Sequence, residues 1–113
     1  MKYSGGFIRR ADTAVGQVVR DRGFCLRCGT SQMLTAAHIE RRRFHGTRWA
    51  PDAILCLCVP CHTWFDTERT ESNVWLVDQI GQEAVDDIHQ RSRMSMNDDP
   101  KVIMERITAK VES

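Results

Sequence analysis

Two Cys-x-x-Cys pairs, Cys25-Leu26-Arg27-Cys28 and Cys58-Val59-Pro60-Cys61, are the residues of this 113-residue chain whose types and spacing specify chemistry most directly. Each pair makes a tight turn that presents two sulfurs, and four thiolates are the donor set of one tetrahedral zinc ion. His38 lies between the pairs and His62 directly follows the second. A site filled by four sulfurs needs neither. An imidazole with an ordinary pKa of about 6.5 can exchange a proton near neutral pH, so the surplus histidines turn a structural metal site into a candidate catalytic one.

The elements that must position these residues follow from periodicity. Val15, Val18 and Val19 recur at helical spacing over residues 11–22, with Asp12 or Thr13 as the cap and Gly23 as the stop. Residues 33–39, ending on His38 and Ile39, predict a strand. Residues 40–52 read as a polar, arginine-rich loop, and residues 53–57 as the second strand of a hairpin. The second knuckle then feeds a helix beginning near His62. Val74, Trp75, Leu76 and Val77 predict a helix ending at Gly81, and Ala84, Val85 and Ile88 predict another. Asp98-Asp99-Pro100 is a helix restart, followed by Val102, Ile103, Ile107 and Val111. Residues 92–99 read as a flexible link. Domain organisation is expected to be residues 1–93 as the functional domain with its N-terminal helix and helical tail, and 94–113 as a linker and helix.

A chain this short buries limited apolar area, so a metal cross-link matters to its stability. The residues after Met1 carry no apolar stretch like a signal peptide, and no apolar run approaches the roughly 20 residues needed to span a bilayer. A cytoplasmic protein with no membrane association is therefore expected. In that compartment paired cysteines favour metal over disulfides, and five cysteines suit four ligands plus a spare. The formal charge of +1 hides an asymmetry. Residues 1–50 hold ten Lys or Arg and three Asp or Glu, a balance of +7; the remainder holds six and twelve, a balance of −6. Arg41, Arg42, Arg43 and Arg48 stand just beyond His38, and such a cluster is suited to neutralising DNA phosphates.

The order knuckle, strand, His38, loop, strand, knuckle, His62, helix resembles the HNH endonucleases with a ββα-metal core. The carrying stretches are Cys25 to Gly29, Ala37-His38-Ile39, Thr47 to Ala53, and Leu57 to Phe65, with Trp75, Gly81 and Ile88 similar to the helical tail of the phage-type branch. That branch includes recombination-associated nucleases of lambda-like phages. The resemblance spans roughly residues 10–92. It implies an α+β fold, a short antiparallel hairpin plus helix stapled by zinc on Cys25, Cys28, Cys58 and Cys61, with helices on either side. It further implies a phage-encoded, metal-dependent nuclease that cuts DNA phosphodiester bonds in the host cytoplasm, with phage packaging or recombination proteins as partners. His38 matches the general base, and His62 the ligand of a catalytic Mg²⁺, Mn²⁺ or Ni²⁺ ion. Asp66, four residues further along the same helix, faces the same way and is a candidate second ligand. Two positions depart from the pattern. Ala53 stands near the place of the asparagine that ties down the base-bearing loop, leaving Asp52 as a substitute, and Ala37 replaces a frequent ligand. These departures define the alternative, a non-catalytic zinc module that binds nucleic acid or a protein partner.

Other readings are weaker. Cys58-Val59-Pro60-Cys61-His62 also fits a c-type haem attachment pattern, but the upstream knuckle and the lack of an export signal argue against it. Cys56, alternating with Leu55 and Leu57, reads as a small buried hydrophobe. His45 reads as solvent-exposed, with phosphate or metal contact as its alternative, and His89 reads as a surface residue. Trp49, Trp64, Phe65 and Trp75 read as core around the metal site.

Overall fold

The computed structural model describes residues 3–109. Helix α1 runs Gly5–Arg20, seven residues ahead of the expected cap at Asp12, because the apolar stripe extends upstream: Phe7, Ala11, Val15 and Val19 are all buried on one face. Ser4 caps it, its hydroxyl accepting from the Phe7 amide at 3.1 Å, which satisfies one of the orphan donors of the first turn. The following segment carries the first knuckle, with Gly29 at φ +82°, a left-handed position that closes the turn behind Cys28.

Strands β1 (Leu34–His38) and β2 (Ile54–Cys58) pair antiparallel, with Leu34 opposite Cys58 and His38 opposite Ile54. β1 starts one residue later than its composition suggests, since Met33 adopts φ 55° and cannot lie in a strand. Every residue of β2 is buried, yet its two faces serve different clusters. Leu55 and Leu57 point into a core completed by Phe65, Leu76 and Ile88, whereas Ile54 and Cys56 pack against Phe7, Val15, Trp49 and Ile107. The hairpin is therefore covered on both sides, which is why β2 reads as an unbroken apolar run.

The connection between the strands, expected as a plain loop, contains α2 (His45–Arg48) and a 3₁₀ turn at Pro51–Ala53. Gly46 permits α2 to touch the end of the fifth helix; a Cβ there would fall 2.0 Å from the Arg91 carbonyl oxygen. Helix α3 (Val59–Thr67) begins directly after Cys58, three residues ahead of His62, with Pro60 in its first turn where no amide is required. Helices α4 (Arg69–Ile80) and α5 (Gln82–Ser92) complete the cover of one face. Arg91 and Arg93 then reach back to the strand connection, pairing with Asp52 at 2.7 Å and Glu40 at 2.9 Å.

Helix α6 (Pro100–Thr108) starts as expected, with Asp99 accepting from the Lys101 amide at 2.8 Å. It packs across α1 through Ile103 and Ile107, in the same cluster as Tyr3, Phe7 and Val15. The segment before it, expected to be flexible, is tied down by the Tyr3 hydroxyl, which donates to the Asp98 carbonyl at 2.7 Å. Val111, expected to continue α6, lies outside the described residues. The result is an α+β fold: a ββα core of β1, β2 and α3 flanked by helices from both ends of the chain. Among the described residues, no helix is long and apolar enough to cross a membrane.

Candidate functional site

The knuckles meet where the first turn abuts β2. The Leu26 amide donates to the Cys56 carbonyl at 2.9 Å, docking the first knuckle beside the start of α3. The sulfurs of Cys25, Cys28, Cys58 and Cys61 all lie within 4.8 Å of one another. Cys28 Sγ and Cys58 Sγ are 3.6 Å apart, close to the edge of about 3.8 Å expected of a tetrahedron with bonds of about 2.3 Å. The Cys28 amide approaches Cys25 Sγ at 3.5 Å, and Arg27 Nη1 donates to Cys61 Sγ at 3.5 Å while its guanidinium lies 3.7 Å over the Trp64 ring. Donors aimed at sulfur favour thiolates. Burial raises the Cys25 thiol, but amide hydrogen bonds from Cys28, Cys58 and Arg27 overcome it and bring the pKa down to about 6. Cys61 is pushed up to about 12, first by burial and then by the neighbouring thiols, against the pull of Arg27. Four thiolates so close together need a cation. The donor set and its geometry fit a metal such as zinc. Cys56 is buried on the other face of β2 and belongs to the hydrophobic packing.

Beyond this cluster, β1, α1, α3 and the start of α4 enclose an open cleft of about 720 Å³. His38, His62 and Asp66 line it together, with Thr35, Asp12 and four arginines: Arg20, Arg41, Arg42 and Arg69. Each histidine is held in a defined orientation. His38 Nε2 lies 2.9 Å from the Arg48 carbonyl oxygen. A carbonyl only accepts, so Nε2 carries the proton and Nδ1 is left with its lone pair. Burial lowers the pKa of His38, and the positive charges of Arg42 and Arg48 act in the same direction, favouring the neutral ring.

His62 has the opposite tautomer. The Thr35 hydroxyl donates its proton to the Leu57 carbonyl at 2.7 Å and therefore accepts from His62 Nδ1 at 2.8 Å. That leaves the lone pair on Nε2, which faces Asp66 Oδ2 at 3.3 Å. Two donor atoms this far apart suit adjacent positions around one divalent ion with bonds of about 2.1 Å. One turn of α3 sets the pair, as the i, i+4 spacing requires.

The arginines divide. Arg48 is turned inward, its side chain 16% exposed, and grips Asp12 through Nε at 2.9 Å and Nη2 at 2.7 Å. Arg42 also pairs with Asp12, at 2.6 Å, though it remains 57% exposed. Arg43 stacks on Phe44 and is not among the cleft residues. Arg41 opens to the cleft and has no ion pair among the described residues. Arg20, from the last turn of α1, and Arg69, from the first residue of α4, join it there; no local motif marks either one. Asp12 and Thr35 likewise emerge only with the tertiary structure. His45, read as exposed, is half-buried instead, because α2 turns its ring against Trp49 at 5.1 Å. His89 is exposed, as expected. Trp49 and Phe65 are buried, while Trp64 and Trp75 pack edge to face at the border of the core.

No protein-family profile matches this chain, and no solved structure matches it significantly. Similarity does extend to curated phage proteins. The chain is 32% identical over 110 residues to "Protein ninG" of Escherichia phage lambda, covering 87% of this chain and 52% of that protein. "Protein ninG" of Enterobacteria phage H19B is 32% identical over 107 residues, covering 87% and 53%, and that of Escherichia phage 933W is 32% identical over 110 residues. The chain spans about half the length of the curated relatives it matches, and what it is similar to is a set of lambda-type phage proteins.

Proposed function

We propose that this chain is a metal-dependent HNH-type endonuclease that hydrolyses DNA phosphodiester bonds. The observation that carries the reading is the opening of two oppositely tautomerised histidines into one arginine-lined cleft. Hydrolysis of a phosphodiester needs a deprotonated water, an orienting site for the phosphate and a counter to its growing negative charge. His38 Nδ1 takes the proton from the attacking water while Nε2 stays on the Arg48 carbonyl. His62 Nε2 and Asp66 would hold a divalent ion such as Mg²⁺, Mn²⁺ or Ni²⁺, whose chemistry when bound is to neutralise the scissile phosphate and its leaving oxygen. Water and phosphate oxygens would complete the shell of such an ion. Arg41, Arg42, Arg20 and Arg69 hold the DNA backbone on either side, whereas Arg48 acts from within the fold.

Similarity to phage ninG proteins supports a phage setting for this activity; phage recombination or packaging proteins are its proposed partners on the family resemblance alone. Incubation of the zinc-loaded protein with supercoiled plasmid and each divalent ion tests the assignment. The parent should nick or linearise the plasmid, and His38→Ala should not, with zinc content and DNA binding unchanged. Plasmid left intact under every ion by a protein that still binds DNA would replace the nuclease by a zinc-containing binding module.

A further inference from the structure

A single carboxylate on α1 organises the segment that holds His38. Asp12 Oδ1 accepts from Arg48 Nε and Trp49 Nε1, both at 2.9 Å; Oδ2 accepts from Arg48 Nη2 at 2.7 Å and Arg42 Nη2 at 2.6 Å. Four donors on two oxygens nearly exhaust its accepting capacity. Arg48 Nη1 closes the arrangement by donating to the Arg42 carbonyl at 3.1 Å. The next link is the backbone of Arg48 itself, whose carbonyl receives His38 Nε2. Ala53, at the far end of the connection, has only a methyl group to offer, and Asp52 is turned outward to Arg91. Asp12 is the acidic residue placed to fix the inner side of this segment, and its side chain is only 19% exposed.

We propose that Asp12 is the positioning residue for His38: by clamping Arg48 and Trp49 it holds the Arg48 carbonyl against Nε2 and reserves Nδ1 for the reacting water. The inference rests on the reading of His38 as the base, but the clamp can be observed without any reaction. If Asp12 is neutralised, the bidentate grip on Arg48 weakens, the carbonyl drifts, and the imidazole is free to exchange tautomers or rotate. The charge that Asp12 balances also loses its partner. Arg42 and Arg48 then face each other unpaired, which further loosens the connection.

The test uses the zinc-loaded 113-residue chain without DNA. Long-range ¹H–¹⁵N spectra of the histidine side chains, taken where the rings are neutral, should give the parent His38 the Nε2–H pattern. Asp12→Asn, which keeps the size and removes the charge, should move the two His38 nitrogens toward averaged values. Arg48→Met, breaking the clamp from the other side, should do the same. Zinc content and far-UV circular dichroism should be retained. In the plasmid assay both should lower kcat by ~10–100-fold, the usual effect of losing a group that orients another, with KM within about twofold. An unshifted His38 tautomer in a folded Asp12→Asn protein would overturn the proposal. So would loss of zinc and fold in both variants, since Asp12 would then be structural. A shifted tautomer in a protein that never cuts DNA would refute the nuclease and leave the clamp standing.

Discussion

At the residue scale, the two histidines should fail differently when removed. His38→Ala is expected to lower the cleavage rate by ~10²–10⁴-fold, the usual contribution of a positioned base, while binding of divalent metal is untouched. His62→Ala should instead weaken the catalytic ion and be partly rescued by excess metal, with Asp66→Ala a milder form of the same loss. Metal titrations of the cleavage rate separate the two. The pH profile carries a second signature. Burial, with Arg42 and Arg48, lowers the His38 pKa, so the acid limb of the rate should lie below the ordinary histidine value of about 6.5. On the proposed function the rate should be full above that limb and fall as pH drops through it and the base becomes protonated. Replacing Arg42 by Gln removes one of the charges that disfavour the imidazolium. The limb should then move toward higher pH; movement the other way would contradict this account of His38.

At the scale of elements, the connection between the strands does most of the positioning. It is gripped from α1 by Asp12, from α5 by Arg91 and from just beyond α5 by Arg93, and it carries the carbonyl that receives His38. Its arginines therefore have separate tasks. On the proposed function, Arg41→Ala in the connection and Arg69→Ala on α4 should weaken DNA binding similarly across sequences and flatten its salt dependence, as expected on losing a phosphate contact. Arg48→Ala should instead lower stability with little change in salt slope, since its charge is already spent on Asp12. Electrophoretic binding assays over a salt series decide between the two behaviours. Within α2, Thr47 is 2% exposed and its hydroxyl has no hydrogen-bond partner among the described residues. Thr47→Val keeps the shape and deletes the unsatisfied group, so thermal unfolding should occur at the same or a higher temperature, with a gain of about 1 kcal/mol.

At the scale of the molecule, a four-cysteine cluster that could hold a metal and packing from both ends of the described chain should set stability. Four sulfurs held within 4.8 Å join the first knuckle to the β2–α3 junction. Zinc there should contribute an apparent ~10–16 kcal/mol of binding energy coupled to folding. Strong chelation, or Cys28→Ala, should therefore unfold the ββα core, read as loss of ellipticity; folded protein that contains no metal would contradict the site. Packing of α6 on α1 brings residues from both ends of the described chain into one cluster. Ile107, 1% exposed, is central to it, and Ile107→Ala should destabilise the protein by roughly 2–5 kcal/mol in denaturant titrations.

Much of this protein is legible in the sequence because the interactions concerned are local. Ligand spacing within a Cys-x-x-Cys turn, the one-turn separation of His62 and Asp66, the proline that opens α3 and the Asp99-Pro100 start of α6 each need only a few neighbouring residues. The α+β class and the order of its core elements follow from them. The early start of α1 and the inward turn of His45 were not legible, since both depend on partners far away in the chain, Ile103 and Ile107 for Phe7 and Tyr3 for His45. The same holds for charge. A run of arginines advertises positive surface, but which of them keep their charge free depends on where carboxylates arrive in three dimensions. Tertiary structure sends Asp12 to Arg42 and Arg48, leaves Arg41 open, and adds Arg20 and Arg69 to the cleft from helices with no motif of their own. Spacing within each Cys-x-x-Cys pair is encoded over a few residues, whereas the meeting of the two pairs and the long-range electrostatic pairing are decided only once distant segments lie against the hairpin.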